Sequence, residues 1–247
     1  MTPARLAVLV PARNEALRLP AMLDALARAL GEAPQFQAVE ILIAVNGTDD
    51  TTAEVAVEVG ARLGLPVRIL YCAGRGKAVA TVEGAVDLAT RHPDLDWLLL
   101  VDADGATDPS VLAGVDATPG PRALIGTRIG PGAWIERPEG SAPLRELLSG
   151  AARAAVRLLF SLGVRDTQCG FKLLPAGAAH AALTAMVDRS WTYDVELLAR
   201  LSRSGVRLCE LPVRWTDVPG SKVRPGIDAL ASLAALIGIW IRLIRRG

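Results

Sequence analysis

The stretch LLLVDAD at residues 98–104 is an uninterrupted apolar run that ends in two aspartates, Asp102 and Asp104. A run without polar alternation is typical of a strand buried on both faces of a parallel sheet. The strand would deliver both carboxylates to one point, since Gly105 allows the chain to turn there. Carboxylates so placed are oxygen ligands for a divalent cation, Mg²⁺ or Mn²⁺. A simple acidic turn or helix cap is the alternative.

The chain around this stretch alternates between apolar runs and helical patterns. The strand-like runs are 6–10, 39–45, 67–71, 97–101 and 123–125, and the helical patterns between them are 15–30, 51–63 and 77–91. This order predicts an α/β fold with a mostly parallel central sheet and helices on both faces. In such sheets ligands bind at the carboxyl ends of the strands.

Beyond residue 130 the pattern changes. It predicts loops at 131–143 and 217–225, a strand at 206–213, and helices at 144–162, 175–186, 192–204 and 227–244. We expect one domain over 1–225 and a separate hydrophobic, amphipathic C-terminal helix over 226–247.

The composition restricts the class of partner and the compartment. Lys and Arg number 27 and Asp and Glu 26, for a net charge of +1, so no global field favours nucleic acid. The 3 cysteines are odd in number and widely spaced, which is typical of a reducing compartment and predicts a cytoplasmic protein.

Polar turns also follow the first two predicted strands, at 11–15 and 46–52. Either turn alone is well explained by helix capping. Three polar turns at successive strand ends, the third with two aspartates, instead predict one cleft for a nucleotide sugar.

Several motifs resemble family 2 glycosyltransferases of the GT-A fold. They are VPARNE at 10–15, NGTDDTT at 46–52, GRGKAV at 74–79 and DADGAT at 102–107. Three later motifs resemble the dolichyl-phosphate β-glucosyltransferases and other polyprenyl-phosphate glycosyltransferases: RDTQCGFK at 165–172, WTYDVELL at 191–198 and VRWTDVPGSK at 213–222. RDTQCGFK is the most specific of these motifs.

The resemblance implies a role for each matching position. The donor-binding residues would be Pro11, Ala12, Asn14, Glu15, Asn46, Asp50, Lys77 and Asp102. The residues on the sugar and acceptor side would be Arg165, Asp166, Gln168, Ser221 and Lys222. The catalytic set would be Asp102, Asp104, Asp194 and Glu196, with Asp104 as the main metal ligand and Asp102 holding ribose or metal.

Two positions depart from the family pattern. Val45 precedes Asn46 where relatives often carry an acid, which weakens the assignment of the nucleobase, and Ala78 follows Lys77 where a glycine is usual.

The resemblance implies inverting transfer of a hexose, with UDP-glucose as the favoured donor, to a polyprenyl phosphate. That acceptor is already anionic at neutral pH, so Asp194 and Glu196 could position groups instead of removing a proton. A hydroxyl acceptor would require one of them as a base.

Two helical segments suggest peripheral attachment to the inner face of the membrane. The predicted helix 144–162 carries a stripe of Arg145, Arg153 and Arg157, and the predicted helix 227–244 is apolar and contains Trp240. A core-packed helix with solvated arginines explains the first segment as well. Burial against a second subunit or a membrane-protein partner is the alternative for the second.

Three other functions fit parts of the pattern. The nearest is a same-fold glycosyltransferase with a soluble acceptor, such as a phosphoglycerate or a small glycoside. A nucleotidyltransferase would show a glycine-rich loop where this chain has residues 11–15. An inactive nucleotide-sugar binder would not need both Asp102 and Asp104.

Overall fold

The computed structural model describes residues 2–136, 143–218 and 227–245. The strands are β1 (Ala4–Ala12), β2 (Phe36–Val45), β3 (Val67–Tyr71), β4 (Trp97–Val101), β5 (Arg122–Thr127), β6 (Trp134–Glu136), β7 (Phe171–Pro175), β8 (Arg207–Pro212) and β9 (Arg214–Thr216). The helices are α1 (Leu19–Gly31), α2 (Thr52–Leu63), α3 (Lys77–Arg91), α4 (Pro143–Phe160), α5 (Ala176–Thr184), α6 (Tyr193–Arg203) and α7 (Ile227–Arg245), and a 3-10 helix spans Pro109–Gly114.

Seven strands form the central sheet in the order β3-β2-β1-β4-β7-β5-β8. Strand β7 runs antiparallel to both of its neighbours, and the other described pairings in this sheet are parallel. The prediction of a mostly parallel α/β sheet is therefore confirmed. The apolar run of β4 lies in the centre and is buried along its whole length.

Helices cover both faces of the sheet, as predicted. Along β4, Leu98 and Leu100 join the core under α3, α5 and α6, and the alternate residues join the core under α1 and α2. The side chains of a strand point to opposite faces in turn, so one apolar run supplies both cores.

Three local predictions were wrong. Helix α1 begins at Leu19 and not at Glu15, because residues 13–18 form a turn and Pro20 occupies the start of the helix. Strand β7 was not predicted. Nor were β6 and β9, which pair in parallel as a second, small sheet. Strand β6 lies inside the predicted loop 131–143, and β9 lies between the predicted strand 206–213 and the predicted loop 217–225.

The C-terminal helix α7 packs on α4, and its Leu236, Ile239 and Leu243 are buried in the core under α3, α5 and α6. The same helix leaves Ile237 and Trp240 partly exposed. In the part of the chain that the structure describes, no helix is both long and apolar enough to cross a membrane.

Candidate active site

Most of the predicted site residues that the structure describes lie at one edge of the sheet. Strands β1, β2, β4 and β5 are mutually parallel and end there, whereas β7 runs the opposite way and begins there. The segment 165–170, which precedes β7, is thereby brought beside the aspartates that follow β4. This edge is where an α/β sheet binds its ligand.

The turns after β1 and β2 hold each other. Asn14, with a left-handed φ of +54°, accepts a hydrogen bond on Oδ1 from the amide of Asp49 at 2.9 Å. Asp50 Oδ2 accepts one from the amide of Ala16 at 3.1 Å. Asn14 and Asp50 thus fix the shape of the cleft wall, whether or not they also touch a donor.

The other predicted residues of the first turn lie on the same wall. Ala12 is buried, and Pro11 lines a small cavity beside Asp102. The amide of Glu15 donates to Thr52 Oγ1 at 2.9 Å, and its carboxylate pairs with Arg18 at 2.6 Å.

Asn46 connects the second turn to the start of α3. Its side chain is buried, and its Oδ1 accepts a hydrogen bond from the amide of Gly76 at 3.1 Å. Gly76 has a φ of +111°, a conformation that L-residues rarely adopt, and it is followed directly by Lys77 at the start of the helix. The side chain of Asn46 therefore sets where Lys77 enters the site.

Lys77 and Asp102 form the central ion pair of the cleft, with Nζ 2.6 Å from Oδ1. Burial opposes ionisation of Asp102, but the Lys77 ammonium outweighs it and lowers the pKa of the carboxyl. The amide of Asp102 donates to the carbonyl of Gly170 at 3.1 Å. Asp102 is thus ionised and fixed at both its backbone and its side chain.

Asp104 has a different environment. Its Oδ1 caps the turn by accepting from the amide of Ala106 at 3.0 Å. Burial, followed by the negative charge of Asp102, raises the pKa of the Asp104 carboxyl. Two carboxylates that repel each other at a strand end fit a divalent cation, which would relieve this repulsion. Groups of three or more His, Cys, Asp or Glu side chains suited to a metal are absent from the described residues.

Asp194 is close enough to Lys77 for its charge to act on that ammonium, and it forms a buried ion pair of its own with Lys172 at 2.7 Å. The side chains of Lys172 and Asp194 are only 3% and 5% exposed. Lys172 also donates to the carbonyl of Cys169 at 2.8 Å, and Tyr193 presents its ring to Lys77, 5.9 Å from the ammonium.

Glu196, the other candidate for the catalytic carboxylate, does not join the cluster around Asp102. It accepts a hydrogen bond from the amide of Asp188 at 2.7 Å and one from Arg200 at 2.6 Å, within α6 and the turn before it. We propose that Glu196 stabilises this turn and takes no part in the chemistry.

We expect Glu196→Gln to lower the free energy of unfolding by about 3 kcal/mol, because it removes the buried carboxylate that neutralises Arg200, whose side chain is 15% exposed. Activity per folded molecule should be retained. Chemical denaturation together with an activity assay at matched folded fraction measures both. The exposed Glu58→Gln on α2 is the matched control. A stable Glu196→Gln protein that is inactive would contradict this assignment.

The residues predicted for the sugar and acceptor side lie in different surroundings, some on the surface and some buried. Arg165 pairs with Glu210 at 2.6 Å on the surface, and Gln168 donates to the carbonyl of Trp191 at 3.2 Å. Asp166 is buried and pairs with Arg128, which was not predicted. Ser221 and Lys222 lie outside the described residues.

Arg128 is a functional candidate that the sequence analysis missed. Its Nε and Nη2 donate to the two oxygens of Asp166 at 2.7 and 2.9 Å, and its guanidinium lies 5.6 Å from the centre of the Trp215 ring. Burial opposes ionisation of Asp166, yet the bonds from Arg128 lower the pKa of this carboxyl. A basic residue directly after a strand that ends at the binding edge was the available signal.

Comparison with solved structures agrees with this fold. A structure of glucosyl-3-phosphoglycerate synthase from Mycobacterium tuberculosis, in complex with Mn²⁺, UDP-glucose and phosphoglyceric acid, matches with a TM-score of 0.64 at 16% identity. The match covers 97% of this chain and 79% of that one. The fold is therefore that of the GT-A glycosyltransferases.

Proteins related to this chain in sequence identify its glycosyltransferase family. The family model described as "Glycosyltransferase like family 2" matches residues 3–119. The chain is 33% identical to the dolichyl-phosphate beta-glucosyltransferase of Drosophila melanogaster, over 97% of this chain and 75% of the relative. It is also 33% identical to the enzyme of the same name from Homo sapiens, over 96% of this chain and 77% of the relative. The chain belongs to glycosyltransferase family 2, and the predicted family is confirmed.

Proposed function

We propose that the protein transfers glucose from UDP-glucose to a polyprenyl phosphate, with inversion at the anomeric carbon and with Mg²⁺ or Mn²⁺ bound at Asp104. The names of the relatives support the acceptor, and the UDP-glucose complex of the structural neighbour supports the donor. The nucleophile would be a phosphate oxygen, which needs no general base at neutral pH because the second pKa of a phosphate monoester is near 6.

The observation that carries this proposal is the state of the site carboxylates. Asp102, Asp166 and Asp194 each make an ion pair, with Lys77, Arg128 and Lys172 respectively. The neighbouring cations lower the pKa of the Asp102 and Asp166 carboxyls, and a carboxylate whose charged form is stabilised in this way is a poor proton acceptor. This arrangement suits an acceptor that arrives already deprotonated.

The same cations suit a reaction between two phosphate-bearing substrates. Lys77 and Arg128 both lie close enough to Asp102 for their charges to lower the pKa of its carboxyl, and they contribute positive charge near the carboxyl ends of β4 and β5. Such positive charges would stabilise the diphosphate as it leaves. When bound, a divalent cation would supply further neutralisation of that leaving group. Asp104 and Asp102 are the residues that would hold it.

A product assay tests the proposal. Purified protein is incubated with Mn²⁺ or Mg²⁺, a short polyprenyl phosphate, and UDP-glucose, GDP-mannose or UDP-N-acetylglucosamine in separate reactions. We expect a glucolipid from UDP-glucose alone. Parallel reactions contain 3-phosphoglycerate or a small glycoside as acceptor, and transfer only to one of these would replace the lipid phosphate by a soluble acceptor.

We expect Asp194→Asn to lower the transfer rate by no more than about tenfold. Asparagine keeps an oxygen beside the Lys172 ammonium, 2.7 Å away in the wild-type ion pair, and a phosphate acceptor requires no base. The measurement is kcat on the lipid phosphate at matched folded fraction, with the exposed Asp94→Asn as control. A loss of several thousandfold would identify Asp194 as a true base and would argue for a hydroxyl acceptor.

We also propose that the protein acts as a cytoplasmic, peripheral protein at the inner face of the membrane. Leu158 on α4 is 85% exposed, and Ile237, Trp240 and Ile241 on α7 are also exposed. Apolar side chains on neighbouring helices suit contact with the interfacial region of a bilayer. Flotation of the protein with anionic vesicles, compared with an Ile237→Ser/Trp240→Ser variant, tests this location.

A further inference from the structure

Lys77 and Lys172 line one small cavity beside Asp102, and they differ in how firmly their side chains are held. The cavity has a volume of about 10 Å³ and is bounded by Lys77, Asp102, Gly170, Lys172 and Tyr193. This space holds one water molecule at most. The charged groups around it therefore interact with little screening, and the position of each one depends on the others.

Lys172 is fixed. It lies on β7, which is paired on both sides by β4 and β5, and its side chain is 3% exposed. Its ammonium is held by Asp194 at 2.7 Å and by the carbonyl of Cys169 at 2.8 Å. To leave, it would have to abandon a buried carboxylate, which is strongly unfavourable.

Lys77 is free to move by comparison. It is the first residue of α3, its side chain is 30% exposed, and its ion-pair partner Asp102 is 31% exposed. A flexible four-carbon side chain that is partly exposed can exchange one anionic partner for another at small cost. The diphosphate of a nucleotide sugar is such a partner.

We propose that Lys77 is an exchangeable cation: in the free protein it neutralises Asp102, and on donor binding it moves to the diphosphate, while Lys172 stays in place. This inference rests on the proposed nucleotide-sugar donor. In the free protein the charges of Lys77 and Asp102 then cancel each other. Asp102 therefore competes with the diphosphate of the donor for the Lys77 ammonium. A competitor inside the protein lowers the apparent affinity for the ligand, so its removal should raise that affinity.

The test is a double-mutant cycle on the binding of UDP, measured by calorimetry in the presence of EDTA so that metal binding does not contribute. We expect Lys77→Met to weaken UDP binding about tenfold, as for loss of a charge-assisted hydrogen bond. We expect Asp102→Asn to tighten UDP binding about fivefold when Lys77 is present, and to have no effect in the Lys77→Met background. Lys77→Arg should keep most of the affinity.

An equal gain from Asp102→Asn in both backgrounds would overturn the exchange, because it would reflect only the removal of a nearby negative charge. Weaker UDP binding by Asp102→Asn would overturn it as well. The control is Lys172→Met/Asp194→Asn, which removes the fixed pair together so that no buried charge is left alone, and it should change the affinity for UDP by less than about threefold. A larger loss would mean that Lys172 also serves the ligand and would overturn the division between the lysines.

The two proposals fail in different ways. If the wild-type protein binds no UDP, either in EDTA or with Mn²⁺, the proposed donor is wrong and the exchange falls with it. If it binds UDP and the cycle shows no coupling between Lys77 and Asp102, only the exchange is wrong.

Discussion

Replacing Asp104 by alanine is expected to lower glycosyl transfer at least about a thousandfold, the loss that corresponds to several kcal/mol of transition-state stabilisation by a bound cation. Asp102 is already paired with Lys77, whereas the structure records no ion pair for Asp104 within the described ranges. Burial and the charge of Asp102 raise the pKa of Asp104. Asp104 is therefore the carboxylate at this strand end that gains most from a divalent cation.

The measurement is kcat as a function of Mn²⁺ concentration, for wild type and for Asp104→Ala. The matched control is Asp116→Ala, an exposed aspartate that pairs with Arg122 on the surface. Thermal unfolding with and without Mn²⁺ provides a second readout, since a cation that binds the folded state stabilises it. Full activity of Asp104→Ala, or an unchanged stabilisation by Mn²⁺, would remove Asp104 from the proposed metal site.

The strand ends were predictable because they depend on local pattern. The continuous apolar run at β4 is typical of a doubly buried strand, and Asp102 follows it directly. The parallel order of the other strands then brought Pro11 and Lys77 to the same edge as Asp102, where they line one cavity. The strand and the turn at Pro11 follow from residue type and spacing, whereas the place of Lys77 near the donor was implied by the resemblance to family 2 glycosyltransferases.

Strand β7 escaped prediction because its central position places a lysine inside the sheet. Lys172 interrupts the apolar run after Phe171, and its buried charge is balanced by Asp194 on a later helix. A partner so far along the chain leaves no local signal. The pairing of Arg128 with Asp166 was missed for the same reason.

For Asp194 and Glu196, the two candidates for the catalytic carboxylate, the sequence contained a signal for the ion-pair partner of only one. Glu196 and Arg200 are four residues apart on α6, a spacing that predicts a helical ion pair, and the structure contains that pair at 2.6 Å. This pattern already favoured a structural role for Glu196. Nothing comparable in the sequence identified Lys172 as the partner of Asp194.

Replacing Gly170 by alanine should lower kcat/KM for the donor about a hundredfold, because a displacement of about 1 Å at a reacting group has effects of this size. A Cβ on Gly170 would lie 2.6 Å from Oδ2 of Asp102, closer than real contacts allow. Its φ lies outside the left-handed region, so alanine itself is compatible with the backbone there. The new methyl group must therefore displace the Asp102 carboxylate or the segment before β7, and in either case the ion pair with Lys77 is disturbed. Gly177→Ala on α5 is the matched control, since a Cβ there meets nothing within 4 Å.

If Gly170→Ala retains full kcat/KM, the position of Asp102 is not critical for transfer. If it loses activity in proportion to folded protein, Gly170 matters only for stability. A folded Gly170→Ala protein with impaired donor use would instead show that the RDTQCGFK segment acts by shaping the space around Asp102.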